Sequence, residues 1–176
     1  MKIIRIDSVQ QGAAPKIALI ADSAIRPDNR PLFLPEGEWI CELRLAVRVD
    51  RLGKFVAKKF ASRYYESCSI VNYLRPIDDE AFFGLIDDAV VQGCRLNLPA
   101  DGEHMLDIQS DVKTNSPMTI SRDEIDYYIE RLSENVTFKT GDLLLLPQVI
   151  HSYTPRYDMA VSVKFYETKA LEFTIK

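Results

Sequence analysis

The sequence predicts a mainly β protein of the α+β class, with three helices in a single domain. The chain has 176 residues, which is an ordinary length for one domain. Many short segments alternate between apolar and polar residues, the period-two pattern of a strand. Helical segments do not follow strands in a regular rhythm, which favours a mixed and mainly antiparallel sheet. We therefore assign residues 1–176 to one domain.

The clearest strand is predicted from Ile40 to Asp50, with the sequence ICELRLAVRVD. Successive side chains of a strand point to opposite faces. One face would then carry Cys41, Leu43, Leu45, Val47 and Val49, and the other Glu42, Arg44, Ala46, Arg48 and Asp50. Further strands are predicted at Met1–Asp7, Ile17–Ile20, Leu32–Pro35, Ser69–Leu74, Ala89–Val91, Cys94–Leu98, Met105–Val112, Ala160–Phe165 and Leu171–Ile175.

A helix followed by a buried strand is predicted between Ile120 and Pro147. Ser121 and Glu124 match the S-x-x-E capping box that opens helices. An apolar stripe with helical spacing follows at Ile125, Tyr128, Ile129 and Leu132. Four consecutive leucines, 143–146, then require cover on both faces of a strand. We expect this strand to be central in the sheet.

Two more helices complete the predicted set. The first carries Val56, Phe60 and Tyr64 as an apolar stripe and ends near Ser67. Its basic residues are interpreted as a solvated face; they are Lys54, Lys58, Lys59 and Arg63. The second is a short helix that begins at Asp78 and runs through Phe83.

Composition excludes several classes of protein. A formal net charge of −4 argues against a nucleic-acid partner, which would normally require a basic face. The three cysteines lack C-x-x-C spacing, so free thiols in a reducing compartment are expected. The N-terminal segment is charged too early for a signal peptide, and no apolar run is long enough to cross a bilayer. We expect a cytoplasmic protein with no membrane partner.

Three long segments resemble the fumarylacetoacetate hydrolase family, in its C-terminal-type catalytic domain. Val136 to Leu144 is similar to the first half of the family signature T-L-K-P-G-D-L-I-x-T-G-T-P. Cys41 to Tyr65 is similar to a longer family pattern that includes Gly-Lys, Phe-Ala and Tyr-Tyr pairs, and Lys16 to Pro35 aligns with a third pattern without a gap. The resemblance covers nearly the whole chain and implies a mixed β-sandwich roll that forms a homodimer.

The resemblance also locates the family's metal site. Family members bind Mg²⁺ or Mn²⁺ through an E-x-E pair and a downstream Asp, and the cation stabilises an enolate. Here the first Glu is Glu42, the second position holds Arg44, and the downstream position holds Tyr73. The final Asp of the same family motif falls on Asp78. Since a guanidinium repels a nearby cation, we expect no bound metal.

Other catalytic parts of the family pattern are also absent. The loop of residues 8–16 has no His, and the T-G-T-P segment is replaced by Leu146–Val149. The family's catalytic Lys falls near Gly84, and its Q-x-G-N-T-x-D-M segment matches Val112–Ile120 without the Gln or the Asp. The match is thus shortened and degenerate. It predicts a non-catalytic homologue that acts as a binding or interaction module.

The candidate cleft residues are Glu42, Arg44, Arg48, Tyr73, Asp78 and His151. We hypothesise that Arg44 takes the position of the cation, neutralises Glu42 and is hydrogen-bonded by Tyr73; an exposed surface pair is the simpler interpretation. His151 would be an acid or base, or an ordinary loop residue. Arg44 and Arg48 would together bind a small carboxylate.

The alternative to a non-catalytic module is an active enzyme. It would be a Mg²⁺- or Mn²⁺-dependent hydrolase, decarboxylase or isomerase of 2-oxo acids or β-dicarbonyl compounds. A second form of this alternative has a rebuilt site around His151 and Arg44.

Overall fold

The computed structural model describes residues 1–9, 13–77 and 89–176. These ranges contain twelve strands: β1 Lys2–Ser8, β2 Lys16–Ala21, β3 Ile25–Pro27, β4 Trp39–Arg48, β5 Ser67–Pro76, β6 Val90–Gln92, β7 Leu96–Asn97, β8 Gly102–Gln109, β9 Lys113–Ile120, β10 Leu143–Tyr153, β11 Ala160–Phe165 and β12 Thr168–Thr174. They also contain two α-helices, α1 Lys58–Ala61 and α2 Arg122–Ser133. Single 3-10 turns occur at Asp22–Ala24 and Ser62–Tyr64. No helix within the described ranges is long and apolar enough to span a membrane.

The strands form two sheets. The larger sheet has eight strands in the order β2-β1-β10-β4-β5-β6-β3, with β7 also paired to β5. Most neighbours in it are antiparallel, but β1 pairs with β10, and β3 with β6, in parallel. The smaller sheet has four strands in the order β12-β11-β8-β9. The predicted mainly β, mixed architecture is therefore confirmed.

The main core lies on one face of the larger sheet and is closed by the smaller sheet and by α2. The alternation predicted for β4 is confirmed, since Cys41, Leu43 and Val47 face this core with no exposed area. Leu143 is equally buried, and β10 lies between β1 and β4 as the run of leucines predicted. The other face of the larger sheet is also buried, by a second and smaller apolar cluster.

Helix α2 begins as the sequence predicts. The Ser121 hydroxyl accepts a hydrogen bond from the Glu124 amide at 3.3 Å. The Glu124 carboxylate accepts a hydrogen bond from the Tyr128 hydroxyl one turn later. The four residues of the predicted stripe are all buried: Ile125, Tyr128, Ile129 and Leu132. The capping residue and the apolar spacing thus determine this helix together.

Several elements differ from the sequence prediction, and the described residues contain two α-helices where the whole chain was predicted to have three. Helix α1 is a single turn, and Phe60, predicted to be buried, has 41% of its surface exposed. Strand β9 was not predicted. It contains Pro117, and proline disfavours an interior strand, but β9 lies at the edge of its sheet. Its alternating residues Ser116, Met118 and Ile120 are buried. Leu32 forms only an isolated bridge. The short helix predicted at 78–83 lies outside the described residues.

A buried carboxylate stabilises the turn before β10. Asp142 has no exposed side-chain area and forms an ion pair with Lys2. Its oxygens also accept hydrogen bonds from the Lys139 amide at 2.8 Å and the Lys2 amide at 3.0 Å. Gly141 precedes it at a φ of +94°, a conformation that favours glycine. One aspartate therefore holds the starts of β1 and β10 together.

The two sheets touch at Gly93. Its amide donates to the Ile70 carbonyl at 3.0 Å, and the next amide, of Cys94, donates to the Ala170 carbonyl at 2.9 Å. A Cβ atom at Gly93 would lie 2.0 Å from the Ala170 carbonyl oxygen. The backbone of the larger sheet can approach β12 this closely only without a side chain here.

The Asp142→Ala substitution is expected to lower the free energy of unfolding by about 3 kcal/mol, because it leaves two amides without their acceptor and the Lys2 ammonium without its anionic partner. Urea unfolding measures this loss. Asp123→Ala is the matched control: Asp123 also pairs with a lysine, but 83% of its side chain is exposed, so less than about 1 kcal/mol should be lost. Equal losses in the two variants would contradict the role given to Asp142.

Candidate functional site

The candidate site lies on the second face of the larger sheet. Glu42 and Arg44 are two residues apart on β4 and so share this face. Tyr73 on β5 stands directly opposite Glu42 in the antiparallel register. Their exposed fractions are 4% for Glu42, 9% for Arg44 and zero for Tyr73. The even-numbered residues of β4 are therefore not a solvated surface, and the interpretation of Glu42 and Arg44 as an exposed pair is wrong.

Both carboxylate oxygens of Glu42 are bound by guanidinium groups. Arg44 donates from Nε and Nη2 to Oε2 at 2.9 and 2.6 Å. Arg75 donates from Nε to Oε1 at 2.6 Å. A buried carboxylate needs such cationic partners, since desolvating an isolated charge costs several kcal/mol. The expected neutralisation of Glu42 by Arg44 is present, with Arg75 as a second partner.

Tyr73 interacts with two arginines in different ways. Its hydroxyl accepts a hydrogen bond from Arg5 Nη1 at 2.9 Å. Arg44 lies against its ring, with Cζ 6.0 Å from the ring centroid, at cation–π range. The hypothesis had Tyr73 hydrogen-bonded to Arg44, whereas the contact shown between them is with the ring. Arg5 in turn forms an ion pair with Asp7 at 2.9 Å.

The protonation states follow from these contacts. Burial acts to raise the pKa of Glu42, but the hydrogen bond from Arg75 and the charge of Arg44 outweigh it, so that this pKa is lowered. Burial raises the pKa of Tyr73 to about 12 against the opposing charge of Arg5. At neutral pH, Glu42 is therefore an anion and Tyr73 a neutral phenol.

These side chains do not fit a divalent cation. Mg²⁺ and Mn²⁺ require several oxygen ligands, and Glu42, the carboxylate that the motif resemblance assigns as a ligand, has both oxygens bound by arginines. The guanidinium of Arg44 would repel an ion placed beside it. Across residues 1–9, 13–77 and 89–176, no three His, Cys, Asp or Glu side chains are grouped to bind a metal.

The remaining candidate residues lie elsewhere. Arg48 is four residues beyond Arg44, about 13 Å along the strand, and its Nη2 lies near Gly141. Since Arg44 already binds Glu42, the pair does not form the predicted carboxylate clamp. Asp78 lies outside the described residues.

His151 lies on the opposite face of the sheet from Arg44. It stands across from Leu43, whereas Arg44 stands across from Val149, and directly opposed residues share a face. His151 stacks on Tyr153 at a ring distance of 6.2 Å, and burial lowers its pKa. A rebuilt site that combines His151 with Arg44 is therefore not formed.

Behind His151 is a buried polar network on the core side. The Tyr153 hydroxyl donates to Asn72 Oδ1 at 2.7 Å, and Asn72 Nδ2 donates to Cys41 Sγ at 3.4 Å. Burial raises the pKa of Cys41 to about 11 and that of Tyr153 well above its ordinary value. Both groups are neutral at physiological pH, so they bind β4, β5 and β10 together without a reactive thiolate.

Sequence reasoning missed Arg75 and Arg5. The signal for Arg75 was its position two residues after Tyr73 on one strand, which places both on the same face. Arg5 could have been found only with the order of strands, because β1 reaches this face through β10, where Arg5 stands beside Leu145.

The fold is shared with solved structures of known and assigned enzymes. The 5-carboxymethyl-2-hydroxymuconate delta-isomerase from Mycobacterium smegmatis superposes with a TM-score of 0.81 at 18% identity, over 99% of this chain and 76% of that chain. Maleylpyruvate hydrolase from Sphingobium sp. SYK-6 gives 0.79 at 14% identity, over 99% and 70%. A protein from Yersinia pestis CO92, provisionally assigned to the fumarylacetoacetate hydrolase family, gives 0.78 at 14% identity, over 99% and 92%.

The likeness of this chain to known proteins is found by comparison of structures and not by comparison of sequences. No family model matches the chain, and no curated protein matches it. At identities of 14% to 18%, the structural likeness establishes the fold alone. The fumarylacetoacetate hydrolase-like fold predicted from the sequence motifs is confirmed.

The Glu42→Gln substitution should lower the free energy of unfolding by about 3 kcal/mol at pH 7, because the amide leaves two guanidiniums without an anion. Since the pKa of Glu42 is lowered by folding, its stabilisation is complete above its unfolded pKa of about 4.3 and is lost as the pH falls through its folded pKa. The difference between wild type and variant should therefore shrink in acid. Urea unfolding at pH 7, 5 and 3 measures it.

Glu172→Gln is the control for this titration. Glu172 pairs with Lys169, but 55% of its side chain is exposed, so the substitution should cost less than about 1 kcal/mol at each pH. A difference for Glu42→Gln that stayed constant from pH 7 to pH 3 would show that the charge of Glu42 contributes nothing.

Proposed function

We propose that this protein is a non-catalytic domain with the fumarylacetoacetate hydrolase-like fold, and that it acts as a binding or interaction module. The observation that carries the proposal is the saturation of Glu42, whose two oxygens are bound by Arg44 and Arg75. Guanidiniums are thus bound to the carboxylate that the motif resemblance assigns as a metal ligand. We further propose a homodimer, on the strength of that resemblance, and a cytoplasmic location, because the cysteine spacing predicts free thiols in a reducing compartment.

The chemistry of the site supports this proposal. A metal that stabilises an enolate must keep an open coordination position for the substrate oxygen. Arg44 supplies positive charge, but it is buried and its Nε and Nη2 groups are both directed at Glu42. Glu42, as an ionised and doubly paired carboxylate, is a poor general base. The arrangement stabilises the sheet and offers no reactive group.

A small carboxylate is the ligand class that we propose for this face. The guanidiniums of Arg5, Arg44 and Arg75 are gathered around Tyr73 and Glu42, and planar guanidiniums bind carboxylates well. Arg75 is the most accessible of the three, with 31% of its side chain exposed. A thermal-shift screen against dicarboxylates should show stabilisation that Arg75→Ala reduces and Arg95→Ala, at an exposed arginine elsewhere, retains.

The second candidate is an active enzyme that acts on 2-oxo acids or β-dicarbonyl compounds with Mg²⁺ or Mn²⁺. The names of the fold neighbours, an isomerase and a hydrolase, favour it. It would require Arg44 and Arg75 to release Glu42 and further ligands to be recruited.

Metal binding and turnover decide between these two candidates. We expect the wild-type protein to bind no Mn²⁺ by electron paramagnetic resonance at micromolar concentrations. We also expect no turnover of an acylpyruvate or of oxaloacetate above the rate with metal alone. Turnover that depends on the metal and is lost in Glu42→Gln would overturn the proposal.

The double substitution Arg44→Glu with Tyr73→Asp should create the metal site that the wild type lacks. It places three carboxylates on one face, since residue 44 lies two positions from Glu42 and residue 73 stands opposite it. We expect Mn²⁺ binding and an increase of the melting temperature with Mn²⁺. Circular dichroism checks the fold without metal.

Arg48→Glu with Tyr73→Asp is the matched control for the gain of metal binding. It makes the same charge reversal on the same face of β4, but at the far end of the strand, where residue 48 pairs with Ser67. It should bind no Mn²⁺. Binding by both double variants would show that added negative charge, and not the position of residue 44, is responsible.

A further inference from the structure

A basic surface with exposed apolar side chains follows the C-terminal end of β4. Residues 51–64 contain five Lys and Arg and no Asp or Glu, in a chain whose net charge is −4. Leu52 is 70% exposed, Phe55 73% and Phe60 41%. We name these three residues, with Arg51, Lys54, Lys59 and Arg63, the basic apolar surface.

The cations of this surface lie over its aromatic rings. Lys54 Nζ is 5.4 Å from the centroid of Phe55. Lys59 Nζ and Arg63 Cζ are 5.0 and 4.9 Å from the centroid of Phe60. Within the described part of the chain these cations form no ion pair, whereas their neighbour Lys58 pairs with Asp123 at 2.7 Å. The basic apolar surface thus presents positive charge and exposed rings together.

Phe55 has an unfavourable backbone conformation, and its ring is exposed. Its φ is 54°, in the left-handed region that bulky residues rarely occupy. The chain is nevertheless fixed on both sides: the Phe55 and Val56 amides donate to the carbonyl and hydroxyl of Ser133 at 2.9 and 2.8 Å, and Gly53 exchanges two hydrogen bonds with Phe138. Strain of this kind persists where surrounding structure enforces it, and it concentrates at functional positions.

We propose that the basic apolar surface binds an acidic segment of another protein, one in which Asp or Glu residues alternate with Leu, Ile or Phe. The carboxylates would pair with Lys54, Lys59 and Arg63, and the apolar side chains would pack against Leu52 and the parts of the Phe55 and Phe60 rings that these cations leave exposed. Charged rims around a few exposed aromatic anchors are the usual composition of a protein interface.

The neighbourhood of the surface favours a narrow protein segment over a membrane. Helix α2 packs beside α1 and presents Asp123, Asp126 and Glu130 near Lys58. A planar anionic bilayer would bring these carboxylates against lipid phosphates, whereas a peptide can contact the basic apolar surface alone.

Nucleic acid is disfavoured for a different reason. Binding of single strands uses aromatic faces on which bases stack. The faces of Phe55 and Phe60 already carry Lys and Arg groups.

Selection from a random peptide library displayed on phage tests the proposal, with the full-length protein immobilised. The selected peptides should be enriched in Asp or Glu together with Leu, Ile or Phe. A representative synthetic peptide should bind the wild type in a fluorescence anisotropy titration. Phe55→Asn with Phe60→Gln should weaken that binding at least tenfold, and so should Lys59→Glu with Arg63→Glu. Asn tolerates the left-handed conformation, so the first variant removes the rings without changing the backbone.

Tyr166→Asn is the matched control. Tyr166 is also an exposed aromatic residue at positive φ, 68% exposed with a φ of 51°, but it lies between β11 and β12. This variant should bind the peptide like the wild type. Folding of each variant is checked by its urea midpoint.

Four results would overturn the proposal. The first is selected peptides without acidic enrichment, and the second is equal binding by wild type and the Phe55→Asn with Phe60→Gln variant. The third is flotation of the wild-type protein with phosphatidylserine vesicles, if this variant no longer floats with them. That result would identify a membrane-binding surface. The fourth is a wild type that is a dimer and a Phe55→Asn with Phe60→Gln variant that is a monomer, as measured by light scattering. This would identify a second copy as the partner. The proposal names a partner for the proposed interaction module. None of these measurements involves metal or turnover, so its failure would leave the proposal for the Glu42 face untouched.

Discussion

The buried carboxylate of Glu42 is the constraint on which the second face of the larger sheet depends. A charge at this depth must be neutralised locally, because burial costs several kcal/mol, and Arg44 and Arg75 supply the neutralising charges. Arg44 then rests against the ring of Tyr73, and the Tyr73 hydroxyl accepts from Arg5. These contacts join β4, β5 and β1 through charged groups. The same face carries the second apolar cluster.

The two faces of β4 differ in what they contribute to the structure. Leu43 and Val47 pack into the main core, whereas Glu42 and Arg44 lie among the residues of the second face. The isomerase and hydrolase with which the fold is shared have only 14% to 18% of their residues in common with this chain. At such identities the likeness of the sheet does not determine the chemistry of the second face, since the core side of β4 is filled by Leu43 and Val47 and not by the residues of the site.

The sequence predicted those parts of the fold that depend on local pattern. Alternation along Ile40–Asp50, the run of leucines in β10 and the cap at Ser121 each follow from neighbouring residues. The site required information that no local pattern contains. Arg75 reaches Glu42 because β5 pairs with β4, and His151 faces away from Arg44 because the register between β10 and β4 shifts between Leu145 and Val149 and again before His151. The predicted length of α1 was wrong because Phe60, although exposed, falls at the spacing of a buried helical stripe.

The contact at Gly93 sets a limit on how the chain can vary. Because a carbonyl of β12 occupies the space that any side chain would need, mutation to every other residue carries a steric cost that neither sheet can relieve alone. Insertions at the tip of the β11–β12 hairpin, near Tyr166, leave this contact in place, whereas insertions that displace Ala170 break it. Homologous chains should therefore differ in length at the hairpin tip and agree in spacing between Ala170 and the C-terminal end of β12.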